Sequence, residues 1–296
     1  MKKIVLLLFF LPLFSAIAQE QEILKKLDAK ADFYGDLARQ IWSNPELGYL
    51  ETKSSALLQK TLVDAGFKVT AGVAGIPTAF VAEYGSGKPV IGIMAEFDAL
   101  PGVSQEAVPF RKAAVEGGAG HACGHHLFGA ASVAAGISIM DWMKANKIKG
   151  TVRVYGTPAE EGGGGKVYIA RAGLISDVDA MIHWHPSSQN AAGATSSLAN
   201  ISTKFRFYGE ASHAAAAPER GKSSLDAVEA MNFMVNLMRE HVPMQTRMHY
   251  VITKGGEAPN VVPAFAESYH YVRHPDALVV KQIFERMVKA AEGAAL

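Results

Sequence analysis

Cysteine is almost missing from this chain: its 296 residues hold one, Cys123. An internal disulfide framework is therefore excluded, and a lone thiol is left whose surroundings must account for it. An excess charge of either sign is missing too, since 29 Lys and Arg face 28 Asp and Glu. No global field draws the chain to nucleic acid or to an anionic membrane, so neither is expected as a partner. Internal repeats and low-complexity tracts are absent, and beyond the N-terminus so is any apolar run long enough to span a bilayer. What is present is a length and an apolar share of 49% that suffice for a buried core, with 19% charged residues to solvate it.

Residues 1–20, MKKIVLLLFFLPLFSAIAQE, join two lysines, an apolar run from Ile4 to Phe14 and the small-residue pattern Ala16-Ile17-Ala18. This is the build of a secretory signal peptide, and the run is short for a hydrocarbon core about 30 Å thick. Residues 1–18 are set aside as a signal peptide. The expectation is a secreted or periplasmic protein, free of the membrane once the leader is cleaved.

Hydrophobic periodicity then gives a helix over Gln21 to Ser43, with Ile23, Leu27, Phe33, Leu37 and Ile41 on one face, and another over Thr52 to Ala65 ended by Gly66. Strand-like runs cover Thr78 to Tyr84, Pro89 to Met94, Thr151 to Tyr155 and Val178 to Trp184. Between them lie helical stretches at Leu127 to Ala145, thinned by small residues, and at Lys166 to Ala172. Alternating strand and helix predict an α/β catalytic domain, a mixed sheet covered by helices. After about Ala194 the order becomes β-α-β-β-α, with strands at Lys204 to Tyr208, His249 to Thr253 and Phe265 to Val272 and helices at Ser223 to Arg239 and Asp276 to Glu292. That order suits a smaller α+β domain with one helical layer on an open antiparallel sheet. Residues 19–194 are assigned to the first domain and 195–296 to the second.

Four clusters sit where strands end or helices begin: Glu96 to Pro101, Gly120 to His126, Pro158 to Gly162 and Ile182 to Pro186. They hold thiolate, imidazole and carboxylate, the donors that suit a borderline-soft divalent cation. Cys123 and His125, one residue apart in a Gly-containing turn, can converge on one point. Glu160-Glu161 repel one another, which a fold tolerates when one carboxylate faces a cation and the other handles a proton. The glycines at 162–165 lack the Gly-Lys-Ser/Thr ending of a phosphate loop, so a nucleotide site is rejected. Spacing does not choose between His183 and His185, and the one that is not a ligand is expected to pack. Lys204 and Arg206 read as a solvated strand face, Met231, Met234 and Met238 as helix core.

These motifs, with Trp42 to Leu47, Ser212-His213-Ala214-Ala215 and Pro259-Asn260-Val261-Val262, resemble the dinuclear zinc exopeptidases and N-acyl-amino-acid amidohydrolases. Aminoacylase, carboxypeptidase G, the indole-acetyl-amino-acid hydrolases and the p-aminobenzoyl-glutamate hydrolases belong to that family. The resemblance implies two divalent metal ions, zinc or manganese, with Cys123, His125, Glu161 and His185 as ligands. It further implies Asp98 as a supporting carboxylate, Glu160 as general base, His213 as an oxyanion donor offered to a partner subunit, and Asn260 and Arg273 as substrate-carboxylate contacts. A homodimer follows, with the second domain as lid and dimerisation unit.

The expected activity is hydrolysis of an N-acyl amino acid, p-aminobenzoyl-glutamate-like compounds being favoured. A metallo-exopeptidase acting on short peptides is the alternative. Two departures stand out: His126 occupies a position where many relatives carry Asp, and no returning catalytic segment with a final His ligand follows Leu296. The sequence therefore reads as a fragment, for which a non-catalytic binding or dimerisation module is a further alternative.

Overall fold

The computed structural model describes residues 19–193 and 196–296, so the leader assigned to 1–18 lies outside the described residues. The chain divides into two compact units, one ending at Asn190 and one running from Ala191 to Leu296. Among the described residues no helix is long and apolar enough to cross a membrane.

The first unit opens with helical residues 19–28 (α1) and α2 (Ala31–Trp42). The single helix expected over 21–43 is thus interrupted, because Lys30 leaves helical geometry at φ −108°, ψ 11°. The break lets α2 turn its own face inward. Leu37, Ala38 and Ile41 are buried, while Phe33, which spacing placed on the same stripe, is 56% exposed. Helix α3 (Thr52–Ala65) stops at Gly66, whose φ of 108° is a left-handed cap that costs glycine little.

Five strands form the sheet: β1 (Lys68–Ala71), β2 (Phe80–Ser86), β3 (Val90–Ala95), β4 (Gly150–Gly156) and β5 (Ala180–Ile182). Their order is β1-β2-β4-β3-β5. Strand β3 runs parallel to β4 and β5, while β2 is antiparallel to β4 and to β1. Strand β1 escaped the sequence reading because none of its four residues is buried, which erases the alternation that marks a half-buried strand.

Helix α4 (His125–Asn146) joins β3 to β4 and lies close on the sheet. A Cβ at Gly136 would stand 2.4 Å from Val154 Cγ2, and one at Gly129 would stand 2.8 Å from the Glu96 carbonyl oxygen. The sheet-to-helix distance therefore depends on those two missing side chains, and it sets where His125 at the start of α4 meets the end of β3. Leu58, Leu62, Phe80, Phe97, Val133, Ile137, Met140 and Val154 fill the layer between them. Each such side chain contributes about 1.5–3 kcal/mol by leaving water, enough to hold the framework rigid. The short α5 (Gly165–Arg171) follows β4.

In the second unit, β6 (Ala199–Tyr208), β7 (Arg247–Lys254) and β8 (Phe265–His274) form an antiparallel sheet in the order β6-β8-β7. Helices α6 (Ser224–Met238) and α7 (Ala277–Ala295) supply Val228, Met231, Val235, Val280, Ile283 and Met287 to a core shared with Phe207, Met248, Ala266 and Val272. The Ser223 hydroxyl caps α6, accepting from the Asp226 backbone N–H at 3.2 Å. Lys204 and Arg206 are not merely solvated. They converge on Glu267, at 3.3 and 2.7 Å.

Candidate metal centre

Three neighbouring parallel strands end on one edge of the sheet, and each delivers chemistry there. Strand β3 exits into Glu96-Phe97-Asp98, β4 into Thr157 to Glu161, and β5 into His183-Trp184-His185. The carboxyl ends of parallel strands are where open α/β sheets leave a crevice for ligands. His125 enters the same edge from the first turn of α4.

The donors converge. The ligand atoms of Cys123, His125 and His185 all lie within 4.8 Å of one another, as do those of Glu96, His125 and Glu160. Cys123 Sγ is 3.2 Å from His185 Nε2. His185 Nδ1 sits 2.9 Å from the Pro186 carbonyl oxygen, so it carries the proton and Nε2 keeps its lone pair. His125 is fully buried, with Nδ1 3.1 Å from Asp98 Oδ1. An imidazole held by a carboxylate at one nitrogen and free at the other is the arrangement of a metal-ligating histidine. Glu161 belongs to neither converging group. Its backbone N–H donates to Asp98 Oδ2 at 2.9 Å, and its carboxylate acts on the Cys123 thiol.

The backbone that presents Glu160 and Glu161 is anchored from a distance. Glu51, completely buried, accepts the Ala159 N–H at 2.8 Å and the Thr78 hydroxyl at 3.0 Å. Ala159 needs such an anchor because its φ of 55° is left-handed, which disfavours a side chain with a Cβ. The glycines that follow are packed rather than loose: a Cβ on Gly165 would stand 2.1 Å from the Pro158 carbonyl oxygen. Burial pushes the Glu51 carboxyl upward against these hydrogen bonds.

Electrostatically the site has too many anions for its cations. Burial, and then the neighbouring Glu161, Glu160 and Glu96 carboxylates, push the Cys123 thiol up to about 12. Burial works against a charge on His125, but Asp98 and Glu96 outweigh it and hold the imidazolium up to about 10. Burial and the Glu96 carboxylate likewise raise the Glu160 carboxyl. Cys123, His125 and Glu160 thus all gain affinity for positive charge. A divalent cation answers that need. The orphaned atoms point the same way: His125 Nε2 and Glu96 Oε2 are buried without a hydrogen-bond partner among the described residues.

A sequence model of peptidase family M20/M25/M40 matches residues 92–294, a span that includes every one of these converging donors. The chain belongs to that family. Among its curated relatives, a p-aminobenzoyl-glutamate hydrolase subunit of Escherichia coli is 45% identical, the match covering 93% of this chain and 59% of that protein. The mouse Xaa-Arg dipeptidase is 32% identical over 94% of this chain and 65% of its own length. The chain thus spans about 60% of the length of these relatives. Among solved structures, an aminobenzoyl-glutamate utilization protein from Klebsiella pneumoniae superposes with a TM-score of 0.67 at 19% identity, over 92% of this chain and 74% of that one. A dinuclear metal-binding M20 peptidase of Bacillus subtilis gives 0.60 at 24% identity, over 90% and 71%. These two likenesses carry the M20 fold, a mixed α/β sheet with helices.

The remaining expected residues of this M20 chain lie in the second unit. The exposed His213 accepts backbone N–H groups of Ala215 and Ala216 at its Nδ1, at 3.2 and 3.1 Å, so its proton sits on Nε2 as an outward donor. Asn260 runs alongside, its carbonyl accepting the Ala214 N–H at 3.0 Å, whereas Arg273 lies on β8 with its guanidinium 5.0 Å from the centre of the Tyr271 ring.

In the first unit three residues escaped the sequence reading or took an unexpected place. Glu96 was in view as part of a cluster, yet its spacing of two from Asp98, which puts both on one side of an extended segment, was the unused signal. His183 does not simply pack: beyond the end of β5 its Nε2 lies 3.1 Å from Glu96 Oε1. Glu51 gave no signal, because its partners are more than twenty residues away. His126 rests against His121 with ring centres 5.2 Å apart and joins neither converging group.

Proposed function

We propose that this chain is the metal-binding part of an M20 amidohydrolase acting on N-acyl amino acids, with p-aminobenzoyl-glutamate-like compounds as the preferred class. The observation that carries it is the convergence of Cys123, His125 and His185 at the ends of adjacent parallel strands, with Glu160 beside them. Cys123, His125, His185 and, next to the thiol, Glu161 would hold two divalent ions. Bound there, such ions lower the pKa of water toward about 7 and polarise an amide carbonyl.

The protein's own groups do the rest. Glu160, 40% exposed at its side chain and with its carboxyl raised by burial and the Glu96 carboxylate, takes the proton of the attacking water and returns it to the leaving amine. Asp98 holds the His125 ring so that Nε2 faces the site. His213 Nε2–H is an oxyanion donor, and Asn260 and Arg273 receive the free carboxylate of the amino acid, for which a guanidinium provides a forked match.

His213 is offered to a second copy of the chain. The edge strand β7 and the exposed Phe233 and Leu237 of α6 supply a surface for that copy. A homologous but different chain is the competing partner, since two distinct subunits of the Escherichia coli p-aminobenzoyl-glutamate hydrolase, 45% and 28% identical, are both relatives. The signal-peptide pattern of residues 1–18 supports export.

The glutamyl preference rests on the 45% identical relative, and a dipeptidase relative supplies the rival. With zinc- or manganese-loaded protein, p-aminobenzoyl-glutamate should give a kcat/KM at least roughly tenfold above Xaa-Arg dipeptides, about 1.4 kcal/mol of discrimination. A preference for the dipeptides would reverse the substrate assignment, and no metal-dependent amide cleavage at all would end the hydrolase reading.

A further inference from the structure

Glu96 is 1% exposed and its two oxygens do different things. Oε1 faces two nitrogen groups: Lys166 Nζ is on it, and His183 Nε2 is 3.1 Å away. Oε2 faces His125 Nε2 at 3.0 Å. A separation of that size ordinarily signals a hydrogen bond, yet neither atom has a hydrogen-bond partner among the described residues and both are buried. The N–H direction that would join them is therefore not satisfied. Nδ1 of the same ring is already engaged by Asp98, so in the neutral ring that a ligand must be the lone pair is on Nε2. Two electron-rich atoms are left side by side, both within 4.8 Å of a Glu160 oxygen.

The spacing is that of two ligands of one ion. Donors about 2.0–2.1 Å from a common zinc ion, at bond angles between a right angle and the tetrahedral value, stand about 3 Å apart. We propose that Glu96 is a further ligand of the metal centre, its Oε2 binding the same divalent cation as His125 Nε2. Lys166 and His183 are then positioning residues that occupy Oε1 and turn Oε2 toward the ion. A carboxylate ligand beside the Cys123 sulfur broadens the centre's tolerance toward oxygen-preferring ions such as manganese.

This rests on the metallohydrolase reading above and adds a residue to it. The test is the zinc dissociation constant, measured by competition with a chromophoric chelator on the intact chain, for the unaltered protein, Glu96→Gln and Glu96→Asp. Glu96→Gln removes the anionic donor and should weaken zinc binding by at least about tenfold. Glu96→Asp keeps the charge opposite Lys166 but withdraws the oxygen by one methylene. It should also weaken zinc, by at least about fivefold, and it supplies the answer if Glu96→Gln does not fold. Unaltered zinc affinity in the variants that fold would make Glu96 a counter-charge for Lys166 and nothing more. An unaltered protein that binds no zinc would instead remove the metallohydrolase reading itself.

Discussion

Glu160→Gln should lower kcat by about 10²–10⁴-fold while leaving metal content and folding unchanged. Glutamine keeps the volume and the hydrogen-bonding reach of the side chain but cannot accept a proton. Glu160 Oε2 stands 3.9 Å from His125 Nε2, close to the converging donors, and 40% of its side chain remains open to substrate and water. Burial and the Glu96 carboxylate raise its carboxyl, so its proton affinity is nearer the working range of a general base than that of an ordinary surface glutamate. The same placement would let it serve as a ligand, since its oxygen is among the atoms within 4.8 Å of His125 and Glu96. Metal analysis of the variant separates the two roles. Retained metal with lost turnover identifies a base, whereas metal lost with turnover identifies a ligand and overturns the assignment.

Asp98→Ala should weaken metal binding by about 10–100-fold, the usual cost of losing the partner that orients a ligating histidine. The carboxylate does two jobs at once. Oδ1 holds His125 Nδ1 at 3.1 Å, and Oδ2 accepts the Glu161 N–H at 2.9 Å, fixing the backbone that carries both adjacent carboxylates. Asp98 is 1% exposed and His125 wholly buried, so no bulk water replaces the lost contacts. His125 Nδ1 keeps the Asp98 main-chain carbonyl at 3.1 Å, but the part-buried Glu161 N–H loses its acceptor at a cost of about 1–3 kcal/mol, and the metal-free variant should unfold at correspondingly lower denaturant. The measurement is zinc affinity by chelator competition, paired with urea unfolding in the presence of EDTA. An Asp98→Ala variant that binds zinc as tightly as the parent would show that its helix and the Asp98 main-chain carbonyl suffice to orient His125.

The site was largely legible because its residues come as short local clusters at strand ends. Cys123 and His125 are one residue apart, and the apolar runs leading into Glu96 and Thr157 identify buried parallel strands from composition alone. What was not legible is what depends on contacts between distant segments. Strand β1 lacks a buried face, and the break at Lys30 has neither glycine nor proline to announce it. Glu51 supports Ala159 across more than a hundred residues of sequence. His183 and His185 could not be ranked by a period of two, because β5 ends at Ile182 and the chain beyond it turns them to different partners, Glu96 and Cys123. Glu96 was hidden by its neighbour: once Asp98 had been given the supporting role, periodicity offered no reason to assign a second carboxylate on the same side.

X-ray absorption at the zinc edge of the loaded protein tests the convergence of Cys123, His125 and His185 most directly. The account predicts a sulfur scatterer at about 2.3 Å together with nitrogen and oxygen at about 2.0–2.2 Å, the sulfur vanishing in Cys123→Ser. A shell of nitrogen and oxygen alone in the unaltered protein would contradict it.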